Sequence, residues 1–249
     1  MPLSYQIIEC QTPPNRSNIN KIYKIVKVAF QNTAKNKQWL IDKATEFASK
    51  VNPYAANHSE VTRNNDRLIL DAMGGILAEY GWLVYINRIF GDATVSFTEF
   101  NSSNSQIDLL LNNGKTIEVR SSFVRNGIKF GICNERYNFK NICKYENLYK
   151  PGEIDKDFFA CVLFETQKQA IINASEIIFY LVGGSTRAMM MNDNISFVSD
   201  LVAEDDYTQT KTRYKVIKLK DAMDINDFEN YLIQMGYKKQ KVLPVGSIF

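Results

Sequence analysis

Residues 106–123, QIDLLLNNGKTIEVRSSF, decide how the chain reads. Ile107, Leu109 and Leu111 alternate with Asp108 and Leu110, and Ile117, Val119 and Phe123 alternate with Thr116, Glu118, Arg120 and Ser122. That two-residue period predicts a pair of half-buried strands. The turn between them sets the geometry. A two-residue loop at Asn113-Gly114 would pair 112 with 115, face Asp108 with Val119 and put the two carboxylates on opposite faces. A three-residue loop at Asn112-Asn113-Gly114, with Gly114 left-handed, pairs 111 with 115 and sets Asp108 directly opposite Glu118. The second register is the expected one.

Two ionised carboxylates opposed across a ladder repel, so they need a shared proton or a compensating cation. A divalent metal suits them, because a few hard oxygen ligands with room for water and phosphate oxygens are the pattern for Mg²⁺ in phosphoryl chemistry. Arg120 falls on the same face as Glu118. Its guanidinium keeps its proton, so it can brace a phosphate but cannot serve as a general base.

This arrangement resembles the PD-(D/E)xK superfamily of metal-dependent nucleases, whose core hairpin carries Asp, a spacer of similar size and then Glu-x-Lys. Asp108 and Glu118 match the two acids, and Glu118-Val119-Arg120 matches the second half, with Arg in place of the usual Lys and Ile107 where the family name has proline. The resemblance implies an α/β fold with a restriction endonuclease-like core, a mixed β-sheet flanked by helices. It implies Mg²⁺ held by Asp108, Glu118 and the Val119 carbonyl, and hydrolysis of DNA phosphodiesters. Within the superfamily the pattern, with the YKPGE run at 149–153, is most similar to type II restriction endonucleases. That implies double-stranded DNA as substrate and a homodimer.

The family core runs helix, three-strand meander, crossover helix and further strand. Residues 60–80 fit the first helix, with Ile69, Ala72, Met73, Ile76, Leu77 and Tyr80 on one face and Gly81 as its expected end. Glu79 flanks that stripe where a family-like helix adds another acid to the site, with Glu60 as the substitute. Gly74-Gly75 inside the helix would cost about 1 kcal/mol each relative to Ala, which points to close packing on the sheet. Residues 82–87 and 94–100 read as the next strands, and 157–165, DFFACVLFE, as a central strand.

Between Arg120 and Lys150 seven cations face two acids, with Tyr137, Phe139, Tyr145 and Tyr149 interleaved. Ser121, Ser122, Arg125, Lys129, Arg136, Lys140 and Lys144 are therefore candidate DNA contacts, where cations hold phosphates and rings pack or stack. The remaining C-terminal third reads as structural. Residues 176–182 form an apolar run stopped by Gly183-Gly184, and 214–219 alternate like an edge strand. Asn226 and Glu229 have capping-box spacing before a short helix closed by Gly236. The GGSTR run at 183–187 reads as a turn, since it lacks the lysine and spacing of a nucleotide loop.

At the N-terminus Ile19, Ile22, Ile25, Val26 and Phe30, and then Leu40, Ala44, Phe47 and Ala48, repeat at helical spacing. They predict a helical extension over 1–56 ahead of a nuclease-like α/β domain over 57–249. A chain of 249 residues with 45% hydrophobic content can bury a sizeable core. The net charge of +3 is small, so nucleic-acid affinity has to come from a local patch. The single histidine, His58, excludes sites built on paired His, and Cys10, Cys133, Cys143 and Cys161 lack zinc spacing. Nothing at the N-terminus reads as a signal peptide or membrane span, so a cytoplasmic protein with no membrane partner is expected.

Two further readings of the acids stand beside the metal site. One is a structural salt-bridge cluster on a solvated sheet face. The other is a catalytically degenerate relative that binds nucleic acid or a protein partner without cleavage, with Arg120 as its argument. The metal site is preferred because the hairpin, the helix carrying Glu79 and the basic segment agree.

Overall fold

Leu109 pairs with Ile117 and Leu110 with Thr116 in the computed structural model of the chain, which describes residues 3–11, 22–50, 65–99, 107–134, 137–145, 155–202 and 211–247. The loop is the three-residue one. Gly114 has φ +85°, its N–H donates to Leu111 O at 2.9 Å, and Leu111 N–H donates to Lys115 O at 2.8 Å. Only a residue without Cβ adopts that conformation freely, so Gly114 sets the register.

The elements run β1 (Leu3–Cys10), β2 (Tyr23–Gln31), α1 (Ala34–Ala48), α2 (Asn65–Phe90), β3 (Val95–Phe97), β4 (Leu109–Leu111) and β5 (Thr116–Phe123). They continue with β6 (Lys140–Tyr145), β7 (Phe158–Phe164), β8 (Glu176–Thr186), α3 (Arg187–Met190), β9 (Ser196–Leu201), β10 (Thr212–Lys218), α4 (Ile225–Gln234) and β11 (Val245–Ser247). Eight strands form one mixed sheet in the order β11-β1-β2-β8-β7-β5-β4-β3, and β6-β10-β9 form a second. Strand β7 lies parallel to β5 in the middle of the large sheet and is buried along its whole length, which is what a strand covered on both faces requires.

The two faces of the large sheet carry different cores. On one, α1, α2 and α4 pack Leu40, Trp82, Phe228 and Leu232 against Val28, Phe30, Phe164 and Phe179. On the other, Cys10, Tyr23, Tyr137, Cys161 and Leu163 form a second core, and Phe159 meets Met190 and Ile217 beneath the small sheet.

The N-terminus is a correction to the expected helical extension. Residues 23–31 form β2, paired antiparallel with both β1 and β8, so the first strands belong to the same sheet as the hairpin and no boundary at 56 separates them from it. Tyr23 and Ile25 enter one core while Val26, Val28 and Phe30 enter the other, and burial on both faces produced a spacing that imitates a helix. The second expected helix is α1, capped by the Thr33 side chain.

Helix α2 also differs from expectation. It does not end at Gly81, and residues 82–87 are its continuation, not a strand. A Cβ at Gly81 would lie 2.6 Å from a Phe179 ring carbon, so this glycine marks close packing of helix on sheet. Trp82, Tyr85, Ile86 and Ile89 beyond it are fully buried at helical spacing. Among the described residues α2 is the one helix long and apolar enough to cross a membrane, and half of its apolar window is buried inside the fold.

Four smaller expectations change as well. The connection from β5 to β7 contains, among the described residues, a π-helix at Lys129–Asn134 and β6 where a crossover α-helix was expected. Gly183 and Gly184 do not stop the strand. Added Cβ atoms there would lie 2.1 Å from Met223 O and 2.0 Å from Phe159 O, so they let β8 run close beside its neighbours. Strand β10 is the centre of the small sheet and not an edge. The capping box of α4 is Asp224 with Asp227, while Glu229 is buried and accepts from Tyr85 Oη at 2.6 Å.

Two glycines of α2 give substitutions of opposite sign. A Cβ at Gly75 meets nothing within 4 Å, so Gly75→Ala is expected to stabilise by about 0.5–1 kcal/mol. Gly81→Ala forces a methyl against the fully buried Phe179 ring and is expected to destabilise by about 1–3 kcal/mol. Urea unfolding of the two variants checks both signs.

Candidate metal and phosphate site

The hairpin register carries Asp108 to the position opposite Glu118. Asp108 lies one residue outside β4, at a bend, and its Oδ2 accepts the Val119 N–H at 2.7 Å. Glu118, 6% exposed, is the third residue of β5. Arg120 lies two residues on, on the same face, and its Nη2 meets Glu118 Oε1 at 2.9 Å. Helix α2 brings in Glu79, whose carboxyl feels the charges of both Asp108 and Glu118. Asp108, Glu118 and Arg120 are thus brought together, with Glu79 within electrostatic reach of both acids.

A fifth group joins them that the sequence did not bring to notice. Lys156 is 3% exposed, and its Nζ lies 3.6 Å from Glu118 Oε2. It stands two residues before β7, and the parallel pairing of β7 with β5 sets that strand start beside Glu118. Arg120 and Lys156 thus hold opposite oxygens of one carboxylate. The signal available in the sequence was a lysine at the mouth of the apolar run 157–165, interpretable only once that run is paired with β5.

The electrostatics follow from crowding. Burial raises the Asp108 carboxyl, the charge of Glu118 raises it further, and the Val119 N–H, Arg120 and Lys156 partly offset both, leaving it pushed up to about 7. Burial also raises Glu79, with Asp108 and Glu118 adding to the effect. Like charges held in a poorly solvated place are what move these groups. Among the described residues no three carboxyl, imidazole or thiol groups form a closed metal cage, and Asp108 and Glu118 are each engaged with donors of their own. The donor set nonetheless fits a hard divalent ion: it is oxygen-only, anionic and self-repelling.

The remaining candidates are more dispersed. Ser121 and Ser122 follow Arg120 on β5 and are half-buried. Arg125 and Lys129 are exposed, but they lie beyond Phe123, which a rise of about 3.3 Å per residue places roughly 16 Å along the strand from Glu118. They are not part of the acid cluster. Lys140 is on β6, half-buried, and Lys144 is on the same strand with its side chain outside the described residues. Arg136, Glu60, His58 and the YKPGE run also lie outside them. Tyr137 is core, fully buried and stacked 5.1 Å from Tyr23, so it cannot stack on a base.

The acid cluster sets a pH dependence whose sign is fixed. Asp108 holds its proton in the folded chain up to about pH 7, whereas an unfolded Asp loses it near 4. Its contribution to metal-free stability is full below about pH 4 and is lost as pH rises to about 7, at no more than about 1.4 kcal/mol per pH unit. Urea unfolding against pH should show this decline in the wild type and a flatter profile in Asp108→Asn. Added Mg²⁺ at pH 8 should raise the wild-type melting temperature and leave Asp108→Asn unmoved.

No family model, no curated protein and no solved structure matches this chain, so the chemistry of the site rests on its own residues.

Proposed function

We propose that this protein is a Mg²⁺-dependent DNA endonuclease of the PD-(D/E)xK kind, with a restriction endonuclease-like core and the activity of a type II restriction enzyme. It acts in the cytoplasm on double-stranded DNA as a homodimer. One observation carries the reading: Asp108 sits opposite Glu118 with Glu79 beside them and two cations on Glu118. A purely structural salt-bridge cluster has no use for a third carboxyl pushed into a site already short of water, and that favours ligand chemistry.

Asp108 and Glu118 supply the anionic oxygens for Mg²⁺, and the Val119 carbonyl is the third ligand of the proposed set. When bound, the ion supplies Lewis-acid polarisation of the scissile phosphate and a lowered pKa for water. Arg120 braces a phosphate oxygen through a guanidinium that stays charged. Lys156 provides the compact ammonium that the Glu-x-Arg motif lacks, delivered from the neighbouring strand to the same carboxylate. Together they offset charge that grows on the phosphate as the bond to the leaving oxygen breaks. Arg120 salt-bridged to Glu118 also suits a protein that binds DNA without cutting it, and the same assay separates the two.

Supercoiled plasmid with Mg²⁺ should be nicked or linearised by the wild type and left intact with EDTA. Asp108→Asn and Glu118→Ala should abolish cutting, and Lys156→Ala and Arg120→Ala should each slow it by about 10²-fold or more. A wild type that binds duplex but never cuts, under any salt or divalent metal, would establish the non-cleaving reading instead.

A further inference from the structure

We infer that the small sheet β6-β10-β9 is a phosphate-backbone platform for duplex DNA, built on Lys140, Lys218 and Phe197. The inference rests on the nuclease reading for the identity of its ligand. Lys140 sits directly opposite Lys218 across the antiparallel β6·β10 ladder. Like charges in that position destabilise a sheet. Among the described residues neither lysine meets a carboxylate, whereas Arg213 meets Asp200 at 3.5 Å and Lys215 meets Asp193.

The register explains why these two lysines stand apart. Strand β10 alternates without a break against β9, so Lys218 and Val216 share one face with their partners Lys140 and Phe197 while Lys215 and Ile217 take the other, and a bulge in β6 between Ile142 and Lys144 sets Lys144 opposite Lys215. Ile217 is buried against Phe159, which turns the lysine face away from the large sheet, and on that face Val216 is fully buried while Lys140 and Lys218 are half-buried. Phe197 is 36% exposed there, with Lys218 Nζ 6.0 Å from its ring centre. Over the three strands five cations face a single acid, Asp200.

Two ammonium groups on adjacent strands, about 5 Å apart at the backbone, can straddle one phosphate, and an exposed ring beside them gives a sugar or base something to pack on. The platform is tied to the acid site. Asn141 Nδ2 donates to Phe159 O at 2.9 Å and to Ser185 Oγ at 3.0 Å, and Phe159 is the register partner of Glu118. A duplex reaching the acids therefore has this sheet as a flanking support, which affects affinity before chemistry.

The test is binding of a fluorescent duplex in EDTA, where no cleavage intervenes, measured by anisotropy over a salt series. Relative to the wild type, Lys140→Gln/Lys218→Gln should weaken binding roughly tenfold and lower the salt slope by between about 1 and 2, about one unit for each phosphate that a lysine no longer neutralises. Its melting temperature should equal or exceed that of the wild type, because an opposed cation pair is gone. Phe197→Ala should weaken binding without changing the slope. Unchanged affinity and slope in the lysine variant would overturn the platform even if the wild type cuts DNA, and so would a loss confined to binding of an acidic peptide. A slope that depends on these lysines in a protein that never cuts would overturn the nuclease reading alone.

Discussion

The site depends on how β5 meets β7, and one carboxylate sets that meeting. Asp157 Oδ2 accepts from both the backbone N–H and the hydroxyl of Thr116 at 3.0 Å, and Asp157 returns its own N–H to Thr116 Oγ1 at 2.9 Å. Lys115 Nζ closes on Asp157 Oδ1 at 2.7 Å. This bracket joins the end of the hairpin loop to the first turn into β7. From it the parallel ladder runs from Ile117 with Phe158 to Phe123 with Phe164. A slip of one residue would exchange the buried faces of β7 and carry Lys156 away from Glu118.

The bracket and the acid cluster respond to protons in opposite directions. Lys115 and Thr116 hold the Asp157 carboxyl below its ordinary value despite the burial that opposes them. Its stabilisation is therefore present above an unfolded pKa near 4 and is lost as pH falls through the lower folded value. Asp108 behaves the other way, favouring the fold when protonated. Neutral pH thus gives a firm frame around a strained centre, the condition in which a bound cation contributes most.

The hairpin was legible because a single residue governs it: Gly114 accepts a positive φ, and that choice alone sets Asp108 opposite Glu118. Glu79 was legible because helical spacing survives in α2 whatever lies beyond it. Gly81 was not, since a glycine that admits the Phe179 ring looks the same in sequence as one that ends a helix. Strand β2 imitates a helix in sequence for a related reason: a strand covered on both sides loses its alternation. Lys156 was invisible because its meaning comes from pairing with a strand far away in the chain, and no local pattern encodes that. Local conformation can be read from neighbours, whereas contacts across the sheet depend on topology.

Like charges of both signs are brought together in this fold. Asp108 lies opposite Glu118 with Glu79 feeling the charge of both, and on the small sheet Lys140 faces Lys218 and Lys144 faces Lys215. Each arrangement costs stability in the free protein, and neither is needed to form the core, whose clusters are apolar and lie elsewhere. On the proposed reading a metal ion would relieve the first and a phosphate backbone the second, so both penalties would fall when the same complex forms. A fold under selection for stability alone would pair Lys140 with an acid, as it pairs Lys215 with Asp193, and would place a neutral side chain at Glu79. On the proposed reading the two unfavourable clusters are halves of one binding surface, the acids suited to a cation and the lysines to a polyanion.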